Sequence, residues 1–407
     1  MTSAVNFHLA ENSASIIRRG TLHFTRKNKT VQTPACLTYT LRGSVPHLVA
    51  DNLKPLPIEL VQVTLEQFLE QKDASFKLPQ GLHKYLHLEN AILFCDVRDP
   101  LKLSSVSFNT DKYLSVQSQG GVRQMTPALW AEAVNAYRPD VAASMADTIT
   151  DVVWKSKRII KSVDRSLRWL DENLTKSKEL DIPIFAHVMG HTNIEERIRS
   201  AKETSERDVQ GFVVNLLGLE HDSLSHFIRA STDNLPQNKP RLAYGLSTPE
   251  KILEGISNGI DLFDGSYAYK ATQSGRAIIF KFGRDLHRSG TQQKTIDLWD
   301  PQFAQDFEPL DITCGCHACS RPHSKAYIHH LLDAHEMLGP LLLMSHNVYQ
   351  LDQFMAAIRK SIESDCFEQD KERFTKHFAE TENDVDEVDV ESLSIRAKKK
   401  RTTLCKQ

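Results

Sequence analysis

Apolar residues along the chain arrive in short bursts separated by amphipathic, polar stretches. From residue 60 onward the bursts fall at 60–64, 91–96, 140–145, 182–188, 209–217, 241–245, 259–263 and 277–282. Several are continuous runs rather than alternating ones, as expected of parallel strands covered on both faces. The first forty residues read as short strands and turns, with the β-prone segment 34–39 (PACLTY) ahead of an Arg42–Gly43 turn. One repeat is clear in detail. Residues 242–245 (LAYG) form a strand, Thr248 is placed to cap a helix with Pro249 at its first position, and Ile252, Leu253 and Ile256 share one helical face. Asn258–Gly259 then stops the helix and 260–263 begins the next strand, making a βαβ unit.

Repetition of such units over about 250 residues predicts an α/β protein built on a (β/α)8 TIM barrel, with a doubly wound sheet as the rival. An N-terminal β extension precedes the barrel, and a helical subdomain follows it. The boundaries read as 1–300 for the barrel with its β segment, 301–365 for a metal-binding subdomain completing the barrel, and 366–407 for a charged tail. In a barrel the active site lies where the strands end, which singles out Asp96, Asp147, Gly190 with His191, Glu220 and Asp264. Each of these taken alone is more simply a loop cap or a solvated residue.

Charge and chain ends narrow the class. The 407 residues hold 50 basic and 52 acidic side chains, a net charge of −2, which argues against a chain that grips nucleic acid alone by bulk electrostatics. Residues 380–391 carry seven acidic and no basic side chains, and 396–407 carry six basic and no acidic ones, the pattern of a solvated, disordered tail. No apolar run approaches the roughly 18 residues of a membrane span, and the N-terminus lacks the basic start and apolar core of a secretory signal. A soluble intracellular protein is therefore expected, and clustered cysteines there point to metal before disulfide.

Three of the seven cysteines form such a cluster, Cys314-x-Cys316-x-x-Cys319, with Gly315 permitting a tight knuckle. Zinc takes four tetrahedral thiolate and imidazole ligands, so a fourth donor is needed. His317, His323, His329, His330, His335 and His346 lie within reach in sequence, and spacing alone does not choose among them. An amphipathic helix is expected over 324–338, ended by Gly339–Pro340, with a second helix starting near His346. A Cys3His site is closed to water and therefore structural.

The run CGCHACSRPHSKAYIHHLLDAHEMLGPLLLMSHN resembles the zinc subdomain of the tRNA-guanine transglycosylases, and GLSTPEKILEGISNGIDLFDGS resembles that family's approach to its GxDxFD motif. The resemblance covers nearly the whole chain before the charged tail and implies the TIM barrel. It implies one structural Zn2+ on Cys314, Cys316, Cys319 and His346, and it places Asp264 at the position of the family nucleophile. In catalytic members that carboxylate displaces guanine from ribose C1′, and a second Asp in a DSGGFQ-like motif handles the proton.

The departures matter as much. No DSGGFQ is present; residues 106–125 read VSFNTDKYLSVQSQGGVRQM, and Asp111 sits in a different setting. Gly265-Ser266-Tyr267-Ala268-Tyr269-Lys270 replaces a CxxPTR-like segment, and Asn215-Leu216-Leu217-Gly218-Leu219-Glu220 replaces a glycine-rich loop. Asp264 then reads as vestigial, since catalytic groups act as a unit. The pattern, with PACLTYTLRGSVPHL near the N-terminus, resembles the non-catalytic branch of the family. That implies a heterodimer with a catalytic queuine tRNA-ribosyltransferase subunit, exchanging guanine for queuine at wobble position 34 of tRNAs with GUN anticodons. It also implies a cytoplasmic location and allows peripheral association with the mitochondrial outer membrane. The rival readings are an independent transglycosylase using Asp264, with Asp96, Asp111 or Asp147 as base, and a zinc-stabilised adaptor without tRNA.

Overall fold

Eight short parallel strands, Ala35–Leu37, Leu60–Thr64, Ile92–Asp96, Val141–Ala143, Ile184–Val188, Gly211–Asn215, Arg241–Tyr244 and Leu262–Asp264, pair with one another around a ring. In this computed structural model, Leu262–Asp264 pairs back onto Ala35–Leu37, and a parallel bridge from Thr38 to Val61 joins the first strand to the second. The ring is a (β/α)8 barrel, as the repeat pattern predicts. Residues 4–10, 16–71, 80–101, 109–118, 120–150, 155–219, 223–289, 292–321 and 323–379 are described. The chain divides into two units, Met1–Ser44 with Ile58–Asp264, and Val45–Pro57 with Gly265–Gln407.

In the first unit, alternation along each strand puts every second side chain into the barrel. Leu60, Ile92, Phe94, Val141, Phe185, Val213, Leu242 and Leu262 fill its interior. The antiparallel meander Val5–Leu9, Gly20–Phe24, Lys29–Thr33 adds Val5, Phe7, Leu22, Phe24 and Val31 to the same core. A buried ion pair, Arg18 Nε to Asp261 at 3.0 Å, joins the segment before Gly20 to the start of the last barrel strand. Arg18 also donates to the carbonyls of Gln237 and Lys239 at 3.0 Å each, so this buried cation is well supplied with acceptors.

Seven of the eight apolar bursts are barrel strands. The exception is 277–282, where Arg276–Ile278 pairs antiparallel with Thr295–Asp297 in the second unit. The eighth barrel strand comes instead from the PACLTY segment, as Ala35–Leu37. No strand of the ring comes from beyond Asp264, so residues 301–365 contribute none to the barrel.

The second unit is helical around its own core. Ile279, Ile296, Leu298, Ile328, Leu331, Leu332, Leu342 and Leu343 are buried together with Cys314 and Cys316. The helix Lys325–Asp333 is capped by Ser324, whose hydroxyl accepts from Tyr327 N at 3.1 Å. It ends at Ala334, and His335 follows in the left-handed conformation at φ 55°. The next helix, Leu338–Glu363, begins eight residues before His346 rather than at it. Gly339–Pro340 lies in its first turn, where a missing N–H costs nothing, so the pair opens this helix instead of closing the previous one. The charged tail also starts later than 366. Phe367–His377 is a helix, and Phe374 meets Phe280, Phe282 and Phe354 with ring centroids 5.8–5.9 Å apart. A phenylalanine cluster is what a count of charges alone overlooks. The acidic and basic blocks at 380–391 and 396–407 lie outside the described residues.

Candidate functional site: barrel mouth and metal centre

The apolar filling of the barrel gives way to polar residues where the strands end. Asp96 follows Ile92 and Phe94 on the inward face of its strand, His187 follows Phe185, Asn215 follows Val213, Tyr244 follows Leu242, and Asp264 follows Leu262. All five are buried. Asp96, Arg98, Asp99, His187, Asn215 and Tyr244 line the polar side of a pocket at this end, with Leu114 and Leu217 among its apolar residues.

The carboxylates here are engaged. His187 Nε2 lies 3.2 Å from Asp96 Oδ2 and 3.4 Å from Oδ1, and Val97 N donates to Oδ1 at 2.6 Å. Burial raises the Tyr244 phenol well above its ordinary range, and the negative charges of Asp96 and Asp264 push it the same way. The phenol is therefore neutral, so it keeps its O–H proton to donate while its oxygen can still accept. Beside them, Asp99 accepts from Tyr39 at 2.7 Å and Gln67 at 2.8 Å, while its own N–H donates to Glu66 at 2.6 Å. Burial pushes the Glu66 carboxyl up to about 8.

Asp147 is held differently. Its carboxylate has no exposed surface and forms a fork with Arg158, at 2.7 and 2.6 Å. Arg165 adds a bond at 3.0 Å and Asn109 another at 2.5 Å. This is a saturated ion cluster that fixes the loop after the fourth strand to the helix Ser156–Leu180. Gly190 and His191 have a structural duty as well. A Cβ on Gly190, at φ +129°, would come 2.5 Å from Arg197 N, and Arg197 ties this turn down through the His191 and Asn215 carbonyls. Asp111 is 62% exposed and pairs with Arg165 and Arg168. It is no part of the pocket, whereas Asp96 lines it. Glu220 lies outside the described residues.

His187, Asn215 and Tyr244 were not singled out by the sequence. The signal was there in each case: a polar or amphipathic residue two positions after an inward apolar one, at a strand's end.

The second unit holds the other site. The ligand atoms of Cys314, Cys316, Cys319 and His346 all lie within 4.8 Å of one another. His346 Nδ1 is 3.7, 3.4 and 3.3 Å from the three sulfurs in that order. A tetrahedral ion with metal–sulfur bonds near 2.3 Å and metal–nitrogen bonds near 2.0 Å would separate S and N by roughly 3.5 Å. The spacing therefore suits a shared cation. His346 Nε2 donates to the Ile278 carbonyl at 2.8 Å, which leaves Nδ1 as the lone-pair nitrogen facing the sulfurs. Asn347 holds that carbonyl's residue in place, accepting from Ile278 N and donating to Arg276 O, both at 2.9 Å.

The thiols need a cation to coexist as thiolates. Hydrogen bonding from Cys314 and Cys319 pulls Cys316 down to about 3, while the bonds to Cys314 and Cys316 push the Cys319 thiol up. One thiolate forms readily and the next is opposed, a conflict that a divalent ion resolves. Backbone N–H groups of Cys316 and Cys319 point at the sulfurs of Cys314 and Cys316 at 3.4 Å. The four side chains can hold a metal ion, with no fifth ligand required.

A barrel with a C-terminal three-cysteine, one-histidine group is what the transglycosylase resemblance implies. The sequence pattern of the queuine tRNA-ribosyltransferase family matches residues 13–380, and the chain belongs to that family. Within it, the chain is 33% identical over 374 residues to the queuine tRNA-ribosyltransferase accessory subunit 2 of Xenopus tropicalis, covering 82% of this chain and 90% of that one. The human protein of the same name is 32% identical over 386 residues, covering 84% and 92%. That of Aedes aegypti is 29% identical over 406 residues, covering 94% and 96%.

Proposed function

We propose that this chain is the non-catalytic subunit of a queuine tRNA-ribosyltransferase. It pairs with a catalytic subunit and helps to hold tRNA while guanine is exchanged for queuine at wobble position 34 of tRNAs with GUN anticodons, those for Asp, Asn, His and Tyr. The observation that carries this reading is the state of the barrel mouth. A general base must be free to take a proton from the substrate, whereas Asp147 is saturated by Arg158, Arg165 and Asn109, and Asp96 lies 3.2 Å from His187 with its Oδ1 already accepting from Val97 N. Asp264 stands at the family nucleophile position beside this layer and is vestigial in this reading.

The second unit supports a partner-binding role. Phe307, Ile312 and Met337 are 80%, 84% and 87% exposed, and Tyr327 and Leu338 are partly so. Such exposed apolar side chains are the kind a protein partner can cover. The Cys3His centre holds one structural zinc here, ordering the knuckle and the helices Lys325–Asp333 and Leu338–Glu363. Zinc supplies folding energy at such a site and no chemistry.

The test is reconstitution. Base exchange is assayed with this chain alone, with the catalytic subunit alone, and with both. Activity that needs both chains supports the reading; robust queuine incorporation by this chain alone refutes it. One observation favours a second reading. Asp96 and Asp264 both bear on Tyr244 from the same barrel end, which is where an acid–base residue and a nucleophile would be needed for independent catalysis. Trapping a covalent tRNA adduct on Asp264 would establish that alternative.

A further inference from the structure

The positive end of a helix dipole favours acidic or capping residues at a helix start. Several helices around the barrel follow this. Thr126 caps Pro127–Tyr137, and Asn193 caps Ile194–Ser205 with Glu195 and Glu196 in the first turn. The helix Ser156–Leu180 does the opposite. Its N-cap, Lys155, makes no side-chain cap, its first turn has no acidic residue, and Lys155, Lys157, Arg158 and Lys161 crowd its beginning. Four cations at a positive dipole end weaken the helix, so their placement answers to something other than its stability.

Arg158 is accounted for by its fork on Asp147. Lys157, Lys161, Arg165 and Arg168, at i, i+4, i+8 and i+11, form one row along the helix, about 16 Å long at the α-helical rise. Arg165 and Arg168 share the exposed carboxylate of Asp111. Of the helix's four acidic residues, Asp164 is taken by Arg199 at 2.9 Å and Asp171 by Arg207 at 2.7 Å, both on the neighbouring segment, while Glu172 and Glu179 lie in its C-terminal half, away from the row's first two lysines. Lys155, Lys157 and Lys161 are exposed and meet no carboxylate among the described residues. The row starts beside the barrel mouth, because Asp147 in the preceding loop bonds Arg158 and Arg165, and Thr148 accepts from the pocket residue Asn215 at 3.2 Å.

We propose that this lysine-led row binds the phosphodiester backbone of the tRNA, next to the mouth of the barrel. The proposal rests on the tRNA-holding role above and names the surface that performs it. The chemistry is that of backbone contact rather than base readout. Lysine ammonium groups are mobile point charges, suited to phosphates a few ångströms apart along a strand and carrying no base-specific geometry. An overall charge near zero does not oppose this, since Debye screening makes a local row matter more than the sum over the chain.

The experiment measures the affinity of an unmodified tRNA-His transcript for the zinc-loaded heterodimer at several salt concentrations. In K157E/K161E the affinity should fall about tenfold or more, and the slope of log affinity against log salt should flatten by about one to two. K178E, on the far half of the same helix, should change neither. Assembly with the catalytic subunit, followed by size exclusion, should be the same for all three. Equal tRNA affinity and slope in K157E/K161E and the unsubstituted complex overturns the proposal while leaving the subunit's role intact. An unsubstituted complex that does not bind tRNA overturns both. Binding to phosphatidylserine vesicles that K157E/K161E abolishes, with tRNA affinity unchanged, overturns it in favour of a lipid surface.

Discussion

His346 Nδ1 faces three sulfurs because its other nitrogen is committed to the Ile278 carbonyl. Removing one ligand leaves three donors and an open position, and metal binding at such sites is coupled to folding. Cys316→Ala and His346→Ala should each lose zinc by elemental analysis and lower unfolding stability by several kcal/mol, on the order expected for a structural site. Full zinc content and unchanged melting in Cys316→Ala would contradict the ligand set. Glu66 makes a different claim at the same scale. Its carboxyl is raised from 4.5 to about 8 by burial. A raised folded-state value means that the protonated form stabilises the fold fully below about 4.5, and that this contribution is lost as pH rises through about 8. Glu66→Gln carries no such proton, so its melting temperature should vary less with pH across that window than the parent's. Parallel curves for the two proteins would refute this. The three cysteines were legible from spacing. The choice of His346 among six histidines was not, since it depends on which helix face meets Ile278, and only the family resemblance pointed to it. His187 and Asp96 needed the closed ring to bring strands 91 residues apart into contact.

Elements were readable where local chemistry is strong. Strands 60–64 and 92–96 and the Thr248–Pro249 helix start stand where the pattern puts them. The failures have physical causes. Arg276–Ile278 is as apolar and β-prone as a barrel strand, and only its antiparallel partner distinguishes it. Gly339–Pro340 reads as a stop from sequence because the same pair is tolerated in a first turn and forbidden in a last one. Ser324 offers a test at this scale. Its hydroxyl accepts from Tyr327 N and starts the helix that follows the cysteine knuckle. Ser324→Ala should cost about 1 kcal/mol in urea unfolding of the zinc-loaded chain, with zinc content unchanged. A cost near zero would show that the cap is idle.

At the scale of the molecule, a net charge of −2 first argued against a nucleic-acid role. The structure replaces that average with a distribution, in which the start of the Ser156–Leu180 helix presents exposed lysines while its Asp164 and Asp171 are held by Arg199 and Arg207. Among the described residues no helix is long and apolar enough to cross a membrane. The barrel is retained with its mouth residues paired among themselves, and the second unit retains a complete Cys3His set. A retained scaffold with Asp147 saturated is consistent with the proposed non-catalytic role. The most direct measurement is base exchange by the reconstituted pair when each chain's aspartate at the nucleophile position is replaced in turn. Asp264→Asn in this chain should leave queuine incorporation little changed, while the same replacement in the catalytic subunit abolishes it. A fall on the order of a thousandfold from Asp264→Asn, the scale of losing an essential catalytic group, would contradict the account.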